Sequence, residues 1–253
     1  MGLSGARWRD GRLLLVSPSG REVGPVEGLI FDLGGTLDAD GASWAERFRE
    51  ALAGAELGDP EPGAVKAALE AGERAVLDHP RAAELGLAEM VRLHVEAQLA
   101  CLGVQETGLA ARLSERFAAE TAAALAGRRG LLERLAARLP LAVVSNGCGN
   151  SQRLLAESGL AALFRAVVDS ADVGFWKPDP RIFDPALERL RVARERVAVV
   201  GDRADRDVEA ALAGGLRAAW VVGARRVAAD DERLRGVDAL LRSVAELDPG
   251  TGA

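Results

Sequence analysis

The chain has 253 residues, with 49% apolar and 28% charged residues and a formal net charge of -6. This describes a globular protein with a core, and the negative balance gives no reason to expect nucleic acid or an anionic membrane as partner. No apolar stretch reaches the roughly 18 residues a spanning helix needs, no signal-peptide layout opens the chain, and Cys101 and Cys148 lack zinc or disulfide spacing, so a reduced, cytoplasmic protein is expected.

Residues 1–27 contain "ARWRDGRLLLVSPSGREV", which reads as a hairpin with turns near Asp10-Gly11 and Ser17–Gly20, or as a loose arm. "GLIFDL" (28–33) is a short apolar strand. From 42 to 127 the apolar residues recur at three- and four-residue spacing without a strand pattern, which predicts about four helices with Phe48, Leu52, Val76, Leu93 and Phe117 as their core. Beyond 128, the apolar runs "PLAVVSNG" (140–147), "RAVVDS" (165–170), "VAVVGD" (197–202) and "RAAWVVG" (217–223) alternate with helical patterns at 149–160, 179–190 and 205–215. A last strand and a short helix are expected in 236–247. Unbroken apolar strands alternating with helices predict an α/β fold, a doubly wound parallel sheet with helices on both faces. The expected division is an arm at 1–27, a core of 28–41 and 128–253, and a helical insert at 42–127.

In such a sheet, ligands bind at the carboxyl ends of the strands. Asp32 ends the first strand, Ser145 the second and Asp202 a later one; Asp207 follows five residues on, and Lys177 lies in the loop "GFWKPDPRIF". Each alone has an ordinary reading as a cap, turn former or solvated charge. Together they place three carboxylates, a hydroxyl and an ammonium on one rim. The chain uses 30 Arg against 2 Lys, Lys66 and Lys177, so a lysine is a candidate for a place where a planar guanidinium would not serve.

This order resembles the haloacid dehalogenase-like hydrolase superfamily: D-x-x-x-T at Asp32–Thr36, the strand-ending Ser145, Lys177 in K-P-D-P ahead of a helix, and G-D-x-x-x-x-D at Gly201–Asp207. The resemblance covers all but the N-terminal arm. The insert looks like the helical cap of the subgroup containing phosphoglycolate phosphatases and beta-phosphoglucomutases. It implies a Rossmann-like core and a phosphatase-type hydrolase acting on a small phosphorylated metabolite. Asp32 would be the nucleophile that forms an aspartyl-phosphate, and Lys177 would offset charge. Mg²⁺ would be held by Asp32, the Gly34 carbonyl, Asp202 and Asp207, and the phosphoryl oxygens by Thr36, Ser145, Asn146 and Lys177. A monomer or homodimer is expected.

One departure stands out. Most phosphatases of the superfamily read D-x-D-G-T, and this chain has Gly34 in place of the second Asp, the general acid-base. Asp38, Asp40 or a cap residue could substitute, or the leaving group could need no acid. Three other readings stay open: a phosphonoacetaldehyde hydrolase using Lys66, the one lysine of the insert; a 2-haloacid dehalogenase, against which Gly201-Asp202 and Asp207 speak; and a non-catalytic metal- and phosphate-binding module. His79 and His94 read as structural residues, while Trp44, Arg47 and Trp176 are candidates to face the cleft.

Overall fold

The computed structural model describes residues 5–55, 61–106 and 108–250; expectations falling on 1–4, 56–60, 107 and 251–253 lie outside them. The N-terminal segment takes the hairpin alternative and adds a third strand. Strands β1 (Gly5–Arg9), β2 (Arg12–Val16) and β3 (Glu22–Val26) pair antiparallel in that order. The first reversal is at Asp10 and Gly11, both at positive φ (50° and 71°), as a two-residue hairpin turn requires. Leu13 and Leu15 of β2 are fully buried against the rest of the protein, and the Trp8 indole donates to the Leu247 carbonyl at 2.9 Å. The arm is thus packed rather than loose.

After β4 (Gly28–Phe31), the chain leaves the sheet for α1 (Trp44–Ala53), α2 (Pro62–Leu77), α3 (Leu87–Cys101) and α4 (Leu109–Gly127), and returns through α5 (Arg129–Ala136). Then follow β5 (Leu141–Ser145), α6 (Ser151–Glu157), β6 (Ala166–Asp169), α7 (Ser170–Val173), α8 (Asp184–Leu190), β7 (Val197–Gly201), α9 (Glu209–Ala213), β8 (Arg217–Val221) and β9 (Ala239–Leu241). The strands form one six-stranded sheet, β6-β5-β4-β7-β8-β9, in which every neighbouring pair is parallel. Parallel pairs need crossovers, so helices cover the sheet, and this explains why β4, β5 and β7 are buried at every residue.

Alternate side chains divide between two faces. Leu29, Phe31, Leu141 and Val143 pack with Leu132 and Leu135 of α5, Leu155 of α6, and the arm's Leu13 and Leu15. Ile30, Ala142, Val144 and Val199 pack with Ala186 and Leu190 of α8 and Ala210 of α9. Helices α1 to α4 form the inserted cap. Ser43 starts α1 with a capping box to Glu46, and Phe48, Leu52, Val91, Val95, Leu109 and Phe117 build the cap's own core, Phe48 stacking on Phe117 with centroids 4.0 Å apart. Val76 and Leu93 depart from expectation by joining the cluster that reaches the sheet. Val76 lies in the last turn of α2 and belongs to the same cluster as Leu85, Met90 and Leu125. Among the described residues, no helix is long and apolar enough to cross a membrane.

Candidate active site

Because the strands run parallel, their carboxyl ends share one rim, and chain direction alone brings Asp32, Ser145 and Asp202 together. A turn over 204–208 then folds Asp207 back beneath them, its Oδ2 accepting from the Arg203 backbone N–H at 2.9 Å. Asp32, Asp202 and Asp207 are all buried, and each offers an oxygen within 4.8 Å of the others. Close approach is possible because Gly35, at φ 92°, has no Cβ; one would lie 2.7 Å from Asp202 Oδ1.

Lys177 sits among these acids. Its Nζ donates to Asp32 Oδ1 at 2.5 Å and to the Val144 carbonyl at 3.0 Å, and forms an ion pair with Asp207 Oδ1 at 2.6 Å. Burial works against the ammonium, yet Asp207 and Asp32 outweigh it and hold the lysine above its ordinary value. Asn146 fixes the lysine's backbone, its Nδ2 donating to the Lys177 carbonyl and its Oδ1 accepting from the Lys177 N–H. Burial lifts the Asp32 carboxyl to about 6 despite Lys177. Burial, then Asp32 and Asp207, push Asp202 up to about 8.

Asp202 Oδ1 accepts from Thr36 at 3.4 Å, whereas Oδ2 has no hydrogen-bond partner; the nearest guanidinium nitrogen, Arg225 Nη2, is 4.0 Å away and donates to the carbonyls of Asp202 and Val221. Three carboxylates against one ammonium leave a buried excess of negative charge and an orphaned oxygen. That donor set suits a hard divalent cation taking oxygen ligands. Thr36 is fully buried with its hydroxyl turned to Asp202, so it supports the acid cluster from below rather than facing the open cleft.

The cleft above the cluster measures about 660 Å³ and is lined from the core by Asp32, Ser145, Asn146 and Lys177, and from the cap by Val76, Met90 and Leu125. Gly34 is part of its floor. Its φ of -81° and ψ of 120° are open to any residue, so conformation does not demand glycine here. The reason is Trp44: a Cβ at residue 34 would stand 3.2 Å from the indole Nε1. The indole is held edge-on against Phe48 and Phe117 and donates to Asp38 Oδ2 at 2.5 Å.

The two proposed substitute acids are both engaged elsewhere. Asp38 Oδ1 accepts from the Gly35 N–H at 2.6 Å and Oδ2 also takes Arg47 Nη1 at 3.2 Å. Asp40 Oδ1 accepts from Ser243 and the Val244 N–H, and its Oδ2 from Arg128 Nη2, pinning the turn to the C-terminal segment. Their carboxylates act as anchors, so neither is a replacement acid. Lys66 also falls away: its side chain is 80% exposed beside Glu70, outside the residues lining the cleft, so it offers no Schiff base there. His79 accepts from the Arg81 N–H in a turn. His94 lines the cleft but is buried, stacked on Phe48 and hydrogen-bonded to Gln98; burial lowers it to about 4. Trp44 and Trp176 do face the cleft, whereas Arg47 serves Asp38 and Thr121. Sequence reasoning missed Arg225 and Trp220, which both donate to the Asp202 carbonyl; no spacing signal marks them.

The profile of the family described as "Hydrolase: haloacid dehalogenase-like hydrolase" matches residues 26–215. Among curated proteins, the chain is similar to phosphoserine phosphatase of Thermus thermophilus, 44% identical over 104 residues that make up 41% of this chain and 39% of that protein. It is also similar to pyrimidine 5'-nucleotidase YjjG of Escherichia coli, 34% identical over 115 residues, 44% of this chain and 51% of that one. These matches thus span about two-fifths to half of the relatives' length. Among solved structures, that of the HAD-hydrolase YfnB from Bacillus subtilis bound to magnesium shares the fold, with TM-score 0.52 and 21% identity over 88% of this chain and 96% of that one. With the profile spanning β4, the whole cap and the core through β7 and the acid cluster, about three quarters of the chain's length, this chain belongs to the haloacid dehalogenase-like hydrolases.

Proposed function

We propose that the protein is a Mg²⁺-dependent hydrolase of small phosphate monoesters that works through an aspartyl-phosphate on Asp32. The observation that carries this reading is the buried triad Asp32, Asp202 and Asp207, short of positive charge and opening onto a cleft beside Lys177. Asp32, Asp202, Asp207 and the Gly34 carbonyl would hold the metal, which when bound neutralises charge between the nucleophile and the incoming phosphate. Lys177 holds Asp32 Oδ1, and among the described residues no hydrogen bond engages Oδ2, the oxygen assigned to attack phosphorus. Ser145 and the Asn146 N–H receive phosphoryl oxygens, the Lys177 charge offsets theirs from behind Asp32, and Thr36 steadies Asp202 beneath them. The cap closes the cleft against water.

The relatives named as a phosphoserine phosphatase and a 5'-nucleotidase support a phosphate ester, and the magnesium-bound neighbour supports the metal. We place the protein in the cytoplasm, where such metabolites are found. Phosphate release from a panel of monoesters, with and without Mg²⁺, tests the reading beside Asp32→Asn. Metal-dependent release that disappears in the variant, with circular dichroism unchanged, is expected. Release that survives Asp32→Asn, or halide from a 2-haloacid without phosphate from any ester, refutes it.

A further inference from the structure

The cleft holds few groups able to hand a proton to a departing oxygen. Among its described residues, Asp38 is raised by burial, but both its oxygens accept, from the Gly35 N–H, Trp44 and Arg47, so neither is free to present a proton to the cleft; Lys177 is enclosed by Asp32, Asp207 and a carbonyl. Cys148 donates to the Ala82 carbonyl, and buried His94 is held neutral against Gln98. The space beside the nucleophile, off Gly34, is filled by the Trp44 indole, whose one N–H is committed to Asp38. Asp205 also lines the cleft, but both its oxygens accept from Arg203, which holds it below its ordinary value. Glu73 of α2 remains, an exposed side chain on the cap wall.

A second, separate observation concerns the cap wall. Val76, Leu77, Leu87, Met90 and Leu125 line it, and Trp176 stands on the rim beside Lys177. Leu77 is 54% and Trp176 50% exposed, so large apolar surface is left open to whatever enters. A small polar metabolite would leave that surface uncovered.

We propose that this site takes apolar aryl phosphates: phosphate esters of phenol-like alcohols whose ring lies on Trp176 and the cap's aliphatic wall. The inference rests on the phosphatase reading above. In the first step, an oxygen of Asp32 bonds to phosphorus while the bond from phosphorus to the aryl oxygen breaks. The electron pair leaves on that oxygen as a phenolate, which takes its proton from water. Water then attacks the phosphorus of the aspartyl-phosphate, the bond to Asp32 breaks, and inorganic phosphate and a proton are released. A phenol gives up its proton at about 10, whereas an alkyl alcohol, like water, holds its proton far more tightly, so only the phenolate departs readily without a donor.

Three probes test this: 1-naphthyl phosphate, cyclohexylmethyl phosphate of comparable apolar size, and acetyl phosphate, which has a good leaving group but no apolar body. Naphthyl phosphate should exceed cyclohexylmethyl phosphate in kcat/KM by about 10²-fold or more, the usual worth of a general acid. Trp176→Ala and Leu77→Ser, both at exposed positions, should lower kcat/KM for naphthyl phosphate about tenfold more than for acetyl phosphate. Equal turnover of the two apolar esters overturns the proposal while leaving the phosphatase reading intact. Alkyl turnover that vanishes in Glu73→Gln also overturns it, by identifying a proton donor. No phosphate from any probe, acetyl phosphate included, with no label on Asp32, refutes the phosphatase reading and the inference with it.

Discussion

Glycine at 34 is explained by the indole of Trp44, and Gly34→Asp tests that explanation. The new Cβ would sit 3.2 Å from Nε1 and 3.3 Å from Cδ1 of Trp44, with a carboxylate beyond it pointing into the ring. Backbone strain contributes little at φ -81° and ψ 120°. Crowding of a packed side chain costs about 1–3 kcal/mol. If the ring is driven out, its bond to the Asp38 carboxylate is lost at about 1.5–3 kcal/mol, along with edge-on contacts to Phe48 and Phe117 worth about 0.5–1.5 kcal/mol each. A loss of about 3 kcal/mol is expected. In a Trp44→Ala background the obstacle is gone, so the same substitution should cost less than about 1 kcal/mol, a coupling of about 2 kcal/mol. Urea unfolding of the four proteins in the cycle measures it. The double variant should also gain at least about 10²-fold on alkyl phosphates over Trp44→Ala alone, since the new acid has room to act. Equal costs in both backgrounds would refute the steric account.

Other expectations follow from the same geometry. Lys177→Met leaves two buried carboxylates without their ammonium and should cost about 3–5 kcal/mol; Lys177→Arg should not restore activity, because a planar fork cannot stand among three oxygens packed around a compact ammonium. Mg²⁺ should raise the melting temperature, corresponding to about 2.7 kcal/mol at a hundredfold excess over Kd, and Asp202→Asn should abolish most of that gain. His94 makes stability depend on pH. Its folded value of about 4 lies below the unfolded 6.5, so the unfolded chain binds the extra proton and stability falls as pH drops through that window. The loss approaches about 3 kcal/mol. His94→Leu should flatten that part of a stability-against-pH curve, and an unchanged slope would show that another group is responsible.

The parts of the fold that were legible depended on local periodicity. The five apolar runs of the core became strands within a few residues of expectation, because strands buried on both faces have no polar positions to blur the pattern. The four cap helices were equally readable, and so was the hairpin turn at Asp10-Gly11. The arm's docking was not, since Leu13 and Leu15 could be read as apolar but not as packed beside β9 and the segment that follows it. Val76 and Leu93 were misplaced for a related reason: helical spacing gives a face but not the partner on it.

At the site, the sequence by itself determined which residues reach the rim. A carboxylate or hydroxyl that ends a parallel strand must emerge at the same edge as its neighbours, so Asp32, Ser145 and Asp202 were identifiable from their positions alone. Only the tertiary structure decided how they are joined: Lys177 lies 145 residues from Asp32, and their contact depends on the packing of a loop that Asn146 holds in place. It also decided what Gly34 means. A missing side chain looks the same in a sequence whether it makes room for a ligand, a turn or another residue. Here the room is taken by Trp44, ten positions along, which the helix capped by Ser43 carries back against residue 34.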